Sequence, residues 1–512
     1  MNRKVGIALL GLAFSTNLFA LELPDIFKDN MVLQQQRKAK IWGWAAAGNS
    51  IDVKTDWNGV TYSTTADKDG EWSVEVETPE ASYQEYTIIF DEWKKDGKRK
   101  PQLLDRKFSK NVLIGEVWFC SGQSNMEMPL RGFWNCPVEG AQREIVHSGR
   151  YKKSIRVATV PKTKADTPQK KVVSPWMTCE PKNAAEFTAG GYFFAQTLVD
   201  LLDVPVGIIN CSYGGSCLEG WLPKEVLLTY PDGLTPMDND DWHAKMAMYN
   251  GMLYPLAGYT IKGFLWNQGE SNVGKEKEYA DRFVTMTQCW RTLFGDLQDK
   301  LPMYAVEMPP FSYGDVNGTY AADFRAMQHE IGEKLPNYAC VCTSDLIYDF
   351  ETEQVHGAKK REIGERLAYL ALARDYGLEG IPFDYPKFEY MEEVDADKAE
   401  QTVIAGSKVA ANSANTGKVL HLYFTNSRDG FDRLSNIEGF EAQSSDGKWY
   451  KANVWAASVW DPKLKRDGSY LVLSCPEAGT IKNIRYCYHN FVKGTLHNVY
   501  GMPLIPFTTE KK

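Results

Sequence analysis

Between Val112 and Pro382, continuously apolar runs of strand length end at glycine-bearing loops and alternate with segments of helix length. Leu113 to Cys120, Val206 to Asn210, Gly263 to Trp266 and Met303 to Val306 read as strands, and Phe193 to Leu202 and Gly364 to Ala373 as helices. Strands apolar on both faces belong in a parallel sheet covered by helices on both sides, so this stretch predicts an α/β fold in three layers, α/β/α. Ligands of such folds sit beyond the carboxyl ends of the strands, which directs attention to the loops that follow them.

The flanks have a different rhythm. From Leu21 to Asn111, segments such as Lys40 to Trp44, Ser50 to Val53 and Glu71 to Val76 alternate apolar and polar residues, with turn chemistry at Asn58-Gly59 and Asp69-Gly70. Alternation returns after residue 383 in Val419 to Phe424, Tyr470 to Leu473 and Ile484 to Tyr488. We expect β-sandwich domains over residues 21–111 and 383–512, flanking a catalytic domain over 112–382; 512 residues exceed what one core usually organises. The basic run from Lys94 to Lys110 reads as a solvated hairpin ahead of the α/β region. Arg3 and Lys4 precede an apolar stretch that ends at Phe19-Ala20, the layout of a secretory signal peptide over residues 1–20, so the expected location is secreted or periplasmic. That stretch is too short to span a bilayer.

A net charge of −8 argues against nucleic acid or an anionic membrane as the main partner. The ten cysteines are scattered and several lie in apolar strands, which reads as buried free thiols, and no zinc-ligand spacing occurs. The 15 tryptophans and 26 tyrosines offer surfaces for stacking on sugar rings.

One strand, Gly115 to Cys120, runs into the turn Ser121-Gly122-Gln123-Ser124-Asn125-Met126. A nucleophile must project from a tight turn into a cleft, and Ser124 meets that need; a turn serine or a helix N-cap would show the same short pattern. The longer run resembles the nucleophile block of the sialate O-acetylesterase family, a branch of the SGNH hydrolases. Further stretches resemble that family in the same order: Met31 to Gln34, Gly207 to Asn210 with Gly214-Gly215-Ser216 and Trp221, Tyr249 to Met252, Trp266 to Asn272, and Asn498 to Phe507.

The resemblance implies an esterase that removes acetyl groups from a carbohydrate through a covalent acetyl-enzyme, with no metal or organic cofactor. Ser124 would be the nucleophile and His356, at the family's position for the base, would take its proton and return it to the leaving alcohol. The oxyanion would be met by the backbone N–H groups of Ser124 and Gly215 and by the Gln268 amide, with Asn267 as an alternative amide. Glu353 would orient the imidazole, with Asp349, Glu351 or a backbone carbonyl as alternatives, because the acidic residue stands three positions before His356 and the family's proline is replaced by Gly357. Glu270 is expected to hold loops together by hydrogen bonds. Of the other histidines, His329 is expected on a solvated helix face.

The substrate implied is O-acetylated sialic acid, 9-O-acetyl esters in particular. Its carboxylate would favour an arginine, for which Arg131 and Arg325 are candidates, and Trp134 and Trp221 are candidates for stacking on the sugar. An acetyl-xylan or other polysaccharide esterase is the nearest alternative, marked by an open cleft without arginine and lined by tryptophan. A non-catalytic carbohydrate-binding protein is the alternative from another class, and the joint presence of Ser124, Gly215, Gln268 and His356 speaks against it.

Overall fold

The computed structural model describes residues 20–94, 100–236, 242–395, 418–432, 436–461 and 466–511. Residues 1–19 of the expected signal peptide lie outside the described residues. No described helix is long and apolar enough to cross a membrane.

Six parallel strands form the central sheet, in the spatial order Tyr338–Val341, Met303–Val306, Gly263–Asn267, Gln102–Gly122, Val206–Ser212 and Ile155–Thr159; Trp176–Thr178 adds an antiparallel edge. Successive residues of the central strand serve opposite layers. Val117 and Phe119 pack into a core with Phe264, Trp266 and Trp290, under helices Glu276–Leu293 and Tyr320–Glu330. Trp118 and Cys120 pack on the other face with Ile208, Tyr304 and Leu367, under helices Ala189–Leu202 and Lys360–Arg374. The period-2 exposure of a strand to two apolar layers is why its sequence is uninterruptedly apolar. The three-layer architecture is therefore as expected.

The strand Gln102–Gly122 is 21 residues long and belongs to two environments. Its first half pairs antiparallel with Ser82–Lys94, which extends to Ser50–Thr55 and Thr61–Thr65, while Lys38–Trp44 and Glu71–Glu77 form a separate two-stranded sheet. Its second half is the centre of the parallel sheet. Pairing with Ser82–Lys94 reaches Ile114 and pairing with Val206–Ser212 begins at Glu116; just before this change stands Asn111, whose φ of 54° is left-handed and whose carbonyl and side-chain oxygens both accept from buried Arg156, at 2.8 and 2.9 Å. The boundary expected after Asn111 thus lies inside one strand.

Beyond residue 383, Lys387–Asp395, Lys418–Thr425, Arg466–Ser474 and Asn453–Asp461 form one antiparallel sheet, and Trp449–Lys451, Phe440–Ser444, Ile481–Tyr486 and Phe507–Thr508 a second. Leu422, Phe424 and Leu471 pack between them against Phe440, Ile484 and Tyr486. This sandwich reaches back to the α/β layers: the Tyr488 hydroxyl donates to Asp323 at 2.8 Å, Ala321 N–H donates to the Asn490 side chain at 2.9 Å, and His497 Nε2 meets Asp345 at 3.1 Å. All ten cysteines are free thiols, eight of them buried.

Candidate active site

The central strand ends at Gly122, where the sheet order changes direction, so the crevice at its tip is the place an α/β sheet offers a ligand. Gly122 has φ 131° and a Cβ there would lie 2.1 Å from the Asn267 carbonyl oxygen, so no other residue fits without moving the neighbouring strand. Gln123 N–H donates to that same carbonyl at 2.9 Å, and Tyr213 N–H donates to the Gly122 carbonyl at 3.0 Å. The turn is thereby tied to both flanking strands, and Ser124 opens a one-turn helix, Ser124–Glu127, directly beyond it.

Ser124 Oγ lies 2.8 Å from His356 Nε2. His356 arrives on the loop between strand Tyr338–Val341 and helix Lys360–Arg374, 232 residues along the chain. Phe133 covers the imidazole edge-to-face at 5.2 Å between ring centroids, and Gln354 Oε1 accepts from the His356 backbone N–H at 3.1 Å. The loop is stapled by buried Glu351, whose carboxylate accepts from Tyr348 N–H at 2.8 Å and from Ala358 N–H at 3.1 Å. Glu353 is exposed and accepts from Ser312 Oγ at 2.5 Å, and Asp349 is exposed as well. Among the described residues no carboxylate pairs with the imidazole, so the structure does not bring Glu353 to the role expected of it. Its side chain turns to the neighbouring loop because Ser312 offers it a donor there.

Burial, and next the positive charge of Lys360, lower the His356 pKa from 6.5 to about 4. A base must be neutral to accept a proton, so activity that depends on His356 should persist on acidification and fall only as the pH passes through about 4. A kcat/KM profile on a neutral ester checks this, and an acidic limb near the unperturbed value of roughly 6.5 would contradict it.

Two backbone donors stand free here. Neither Ser124 N–H, at a helix start where such groups lack internal partners, nor Gly215 N–H donates to an acceptor among the described residues. Gly215 has φ 78°, and its α-carbon faces the Trp242 indole; a Cβ there would lie 3.3 Å from that side chain. Gly214 N–H is engaged by Glu127 Oε2 at 2.5 Å, which Lys162 pairs through the other oxygen at 2.7 Å. The Gln268 amide is spent on Asn272 Oδ1 at 2.8 Å and the Ser216 carbonyl at 3.2 Å. Asn267 is buried, and its Oδ1 has no partner among the described residues. Glu270 does tie loops together: Oε1 accepts from Asn125 Nδ2 at 2.5 Å, and burial pushes its carboxyl above the usual range.

Several expected substrate residues are placed elsewhere. Trp221 is fully buried, edge-on to Trp266 and Trp290, with Nε1 donating to Ser216 Oγ at 3.0 Å; no sugar reaches it. Arg325 is also buried, donating to the His489 and Asn490 carbonyls at 2.5 and 3.4 Å, and it joins the α/β layers to the sandwich rather than a ligand. His329 faces inward, Nε2 to Glu307 Oε2 at 2.6 Å, correcting its expected solvated position. Arg131 is exposed and paired with Glu186 at 2.6 Å. Trp134, beside Phe133, is 88% exposed, and Trp242 is 51% exposed. The roles of Phe133, Trp242, Asn125 and Lys360 had no signature in the sequence.

A family model described as "Carbohydrate esterase, sialic acid-specific acetylesterase" matches residues 114–373, which include both Ser124 and His356. The chain belongs to this family. It is an acetylesterase, a hydrolase acting on carboxylic esters. Relatives of this carbohydrate esterase include the sialate O-acetylesterases of Pongo abelii, 27% identical over 400 residues, and Homo sapiens, 26% identical over 400 residues; each alignment covers 71% of this chain and 73% of the relative. A carbohydrate acetylesterase from Xanthomonas citri has a similar solved structure, with a TM-score of 0.77 at 26% identity over 96% of this chain and 100% of that one.

Proposed function

We propose that this esterase hydrolyses O-acetyl esters of a carbohydrate with Ser124 as nucleophile and His356 as base. The 2.8 Å contact between Ser124 Oγ and His356 Nε2, at the crevice of the sheet, carries the reading. His356 takes the hydroxyl proton as Ser124 Oγ attacks the acetyl carbonyl. The oxyanion is met by the N–H groups of Ser124 and Gly215, and preorganised donors of this kind are each worth roughly a hundred- to a thousandfold in rate. The sugar oxygen leaves with the proton from His356, and water, deprotonated by the same imidazole, releases acetate from the acetyl-serine.

The relatives' names point to O-acetylated sialic acid, and 9-O-acetyl esters are the form of it that this reading takes as substrate. A specific observation favours the second reading, an acetylated polysaccharide. Arg325 is buried and Arg131 is paired with Glu186, while two exposed tryptophans, Trp134 and Trp242, stand on loops bordering the Ser124 and His356 crevice. Acetate release from 9-O-acetylated sialic acid, acetylated xylan and 4-nitrophenyl acetate separates the two. A preference for the sialic acid ester supports the first reading, a preference for xylan the second, and inactivity on all three overturns both. Stacking is worth about 0.5–1.5 kcal/mol per aromatic pair, and with a similar range for a sugar face Trp134→Ala and Trp242→Ala should each raise KM on the preferred sugar ester by about two- to thirteenfold. Neither should change kcat on 4-nitrophenyl acetate; a loss there would mean the indoles support the fold of the crevice instead.

The arrangement of residues 1–20, a basic start followed by a short apolar stretch, supports export from the cytoplasm. Comparing the mature amino terminus with Leu21 by mass spectrometry checks it.

A further inference from the structure

We propose that Lys360 is a positioning residue for the Ser124–His356 pair, acting through Asn125, whose amide it locks in the orientation that ties the nucleophile turn to the backbone entering the histidine. This rests on the assignment of Ser124 and His356 above. Lys360 opens the helix that follows the His356 loop and is 3% exposed, a depth at which lysine is rare unless paired. Its Nζ donates to Asn125 Oδ1 at 2.6 Å, and Asn125 is the residue after Ser124. The other end of that amide, Nδ2, donates to Glu270 Oε1 at 2.5 Å and to the Val355 carbonyl, next to His356, at 3.1 Å.

An ammonium only donates, so the Asn125 oxygen must face it and the NH2 must face the two acceptors. Three segments are thereby fixed to one side chain: the nucleophile turn, the loop after strand Gly263–Asn267, and the loop bearing the base. Without Lys360 the amide loses the contact that sets its orientation, and the Val355 tether slackens.

The charge has a second effect. Around the imidazole, the 129–137 loop presents apolar Phe133, the one-turn helix beyond the central strand presents Ser124, and the histidine's own loop carries Glu351 and Glu353, whose carboxylates are taken by Tyr348 N–H, Ala358 N–H and Ser312. Glu270 is held by Asn125. Lys360 is the cation that acts on His356 and favours the neutral imidazole, while burial lowers its own pKa to about 8.

The test is a set of variants, Lys360→Met, Lys360→Arg and Asn125→Leu, with kcat and KM on 4-nitrophenyl acetate measured against pH and the His356 imidazole titrated by NMR. For Lys360→Met, kcat should fall about ten- to a hundredfold, the scale of a small misplacement of reacting groups, with KM within about twofold. Its acidic limb and the His356 titration should move up together by about one unit. Lys360→Arg should keep the limb low, and Asn125→Leu should lose kcat with the limb unmoved. A folded Lys360→Met with wild-type kcat and an unmoved limb overturns the proposal. Should that variant not fold, a wild-type kcat in Asn125→Leu overturns it equally. If the wild-type limb does not follow the His356 titration, it is the base assignment that fails, and Lys360 with it.

Discussion

Alanine at either Ser124 or His356 is expected to lower kcat for acetate release by about four to six orders of magnitude, and the double variant to be little worse than either single one, since groups that act as a unit are not additive. The serine hydroxyl is a poor nucleophile at neutral pH without a base in hydrogen-bond contact, and in the proposed mechanism the 2.8 Å approach of His356 Nε2 is the contact that supplies one. Glu353→Gln makes the contrast. Because Glu353 bonds Ser312 and not the imidazole, its loss should change kcat by less than about fivefold. Initial rates on 4-nitrophenyl acetate with purified variants check the set; a Glu353→Gln loss as deep as that of His356→Ala would show that the loop rearranges on binding to bring the carboxylate to the ring.

The largest effect on stability is expected at Asp345. Arg366 grips both of its oxygens, at 2.8 and 2.6 Å, and His497 Nε2 adds a contact at 3.1 Å, so the cluster joins the loop after strand Tyr338–Val341 to a catalytic-layer helix and to the carboxyl-terminal sandwich. Asp345→Asn leaves the Arg366 guanidinium, 10% exposed, without its counter-charge, which should cost about 3–5 kcal/mol. Replacing both members, Asp345→Asn with Arg366→Met, should cost less than the single change, because no buried charge is then stranded. Burial opposes the charged carboxylate, but Arg366 and His497 outweigh it and hold Asp345 well below the usual carboxylate range. A depressed folded-state pKa contributes stability above the ordinary value of 3.8, and that contribution drains away only as the pH falls below it. Urea unfolding followed by tryptophan fluorescence at neutral pH reads the cost. Equal midpoints for wild type and Asp345→Asn would remove the cluster from the account of stability.

The sheet was legible because its signal is redundant: each central strand serves two apolar layers, so every residue of Val117 to Cys120 repeats the same message. Ser124 was legible because the run around it is long: the short glycine turn also fits a turn serine or an N-cap, and only the stretch from Gly115 to Met126 resembles the family's nucleophile block. What could not be read was the direction of single side chains. Trp221 ends the short helix Leu218–Trp221, nine residues beyond strand Val206–Ser212, where an accessible aromatic could equally stand, and only the packing of Trp266 and Trp290 around it turns it inward. Arg325 and His329 lie on one helix whose burial is decided by the sandwich and by Glu307, both remote in sequence. No local pattern marks Lys360, and the role proposed for it depends on meeting Asn125 across 235 residues. Glu353 has the right spacing from His356 but a nearer partner in Ser312. Motif spacing therefore singled out Ser124 and His356, which the fold brings to 2.8 Å, while the contacts around them follow from packing that no local pattern encodes.

The central claim, that Ser124 is the nucleophile of this esterase, is tested most directly by labelling the full chain with a fluorophosphonate and mapping the adduct by peptide mass spectrometry. A single adduct on Ser124, formed in step with loss of acetate release, strongly slowed in His356→Ala and absent in Ser124→Ala, is the predicted result. An adduct on another residue in step with inactivation, or full activity in Ser124→Ala, would contradict it.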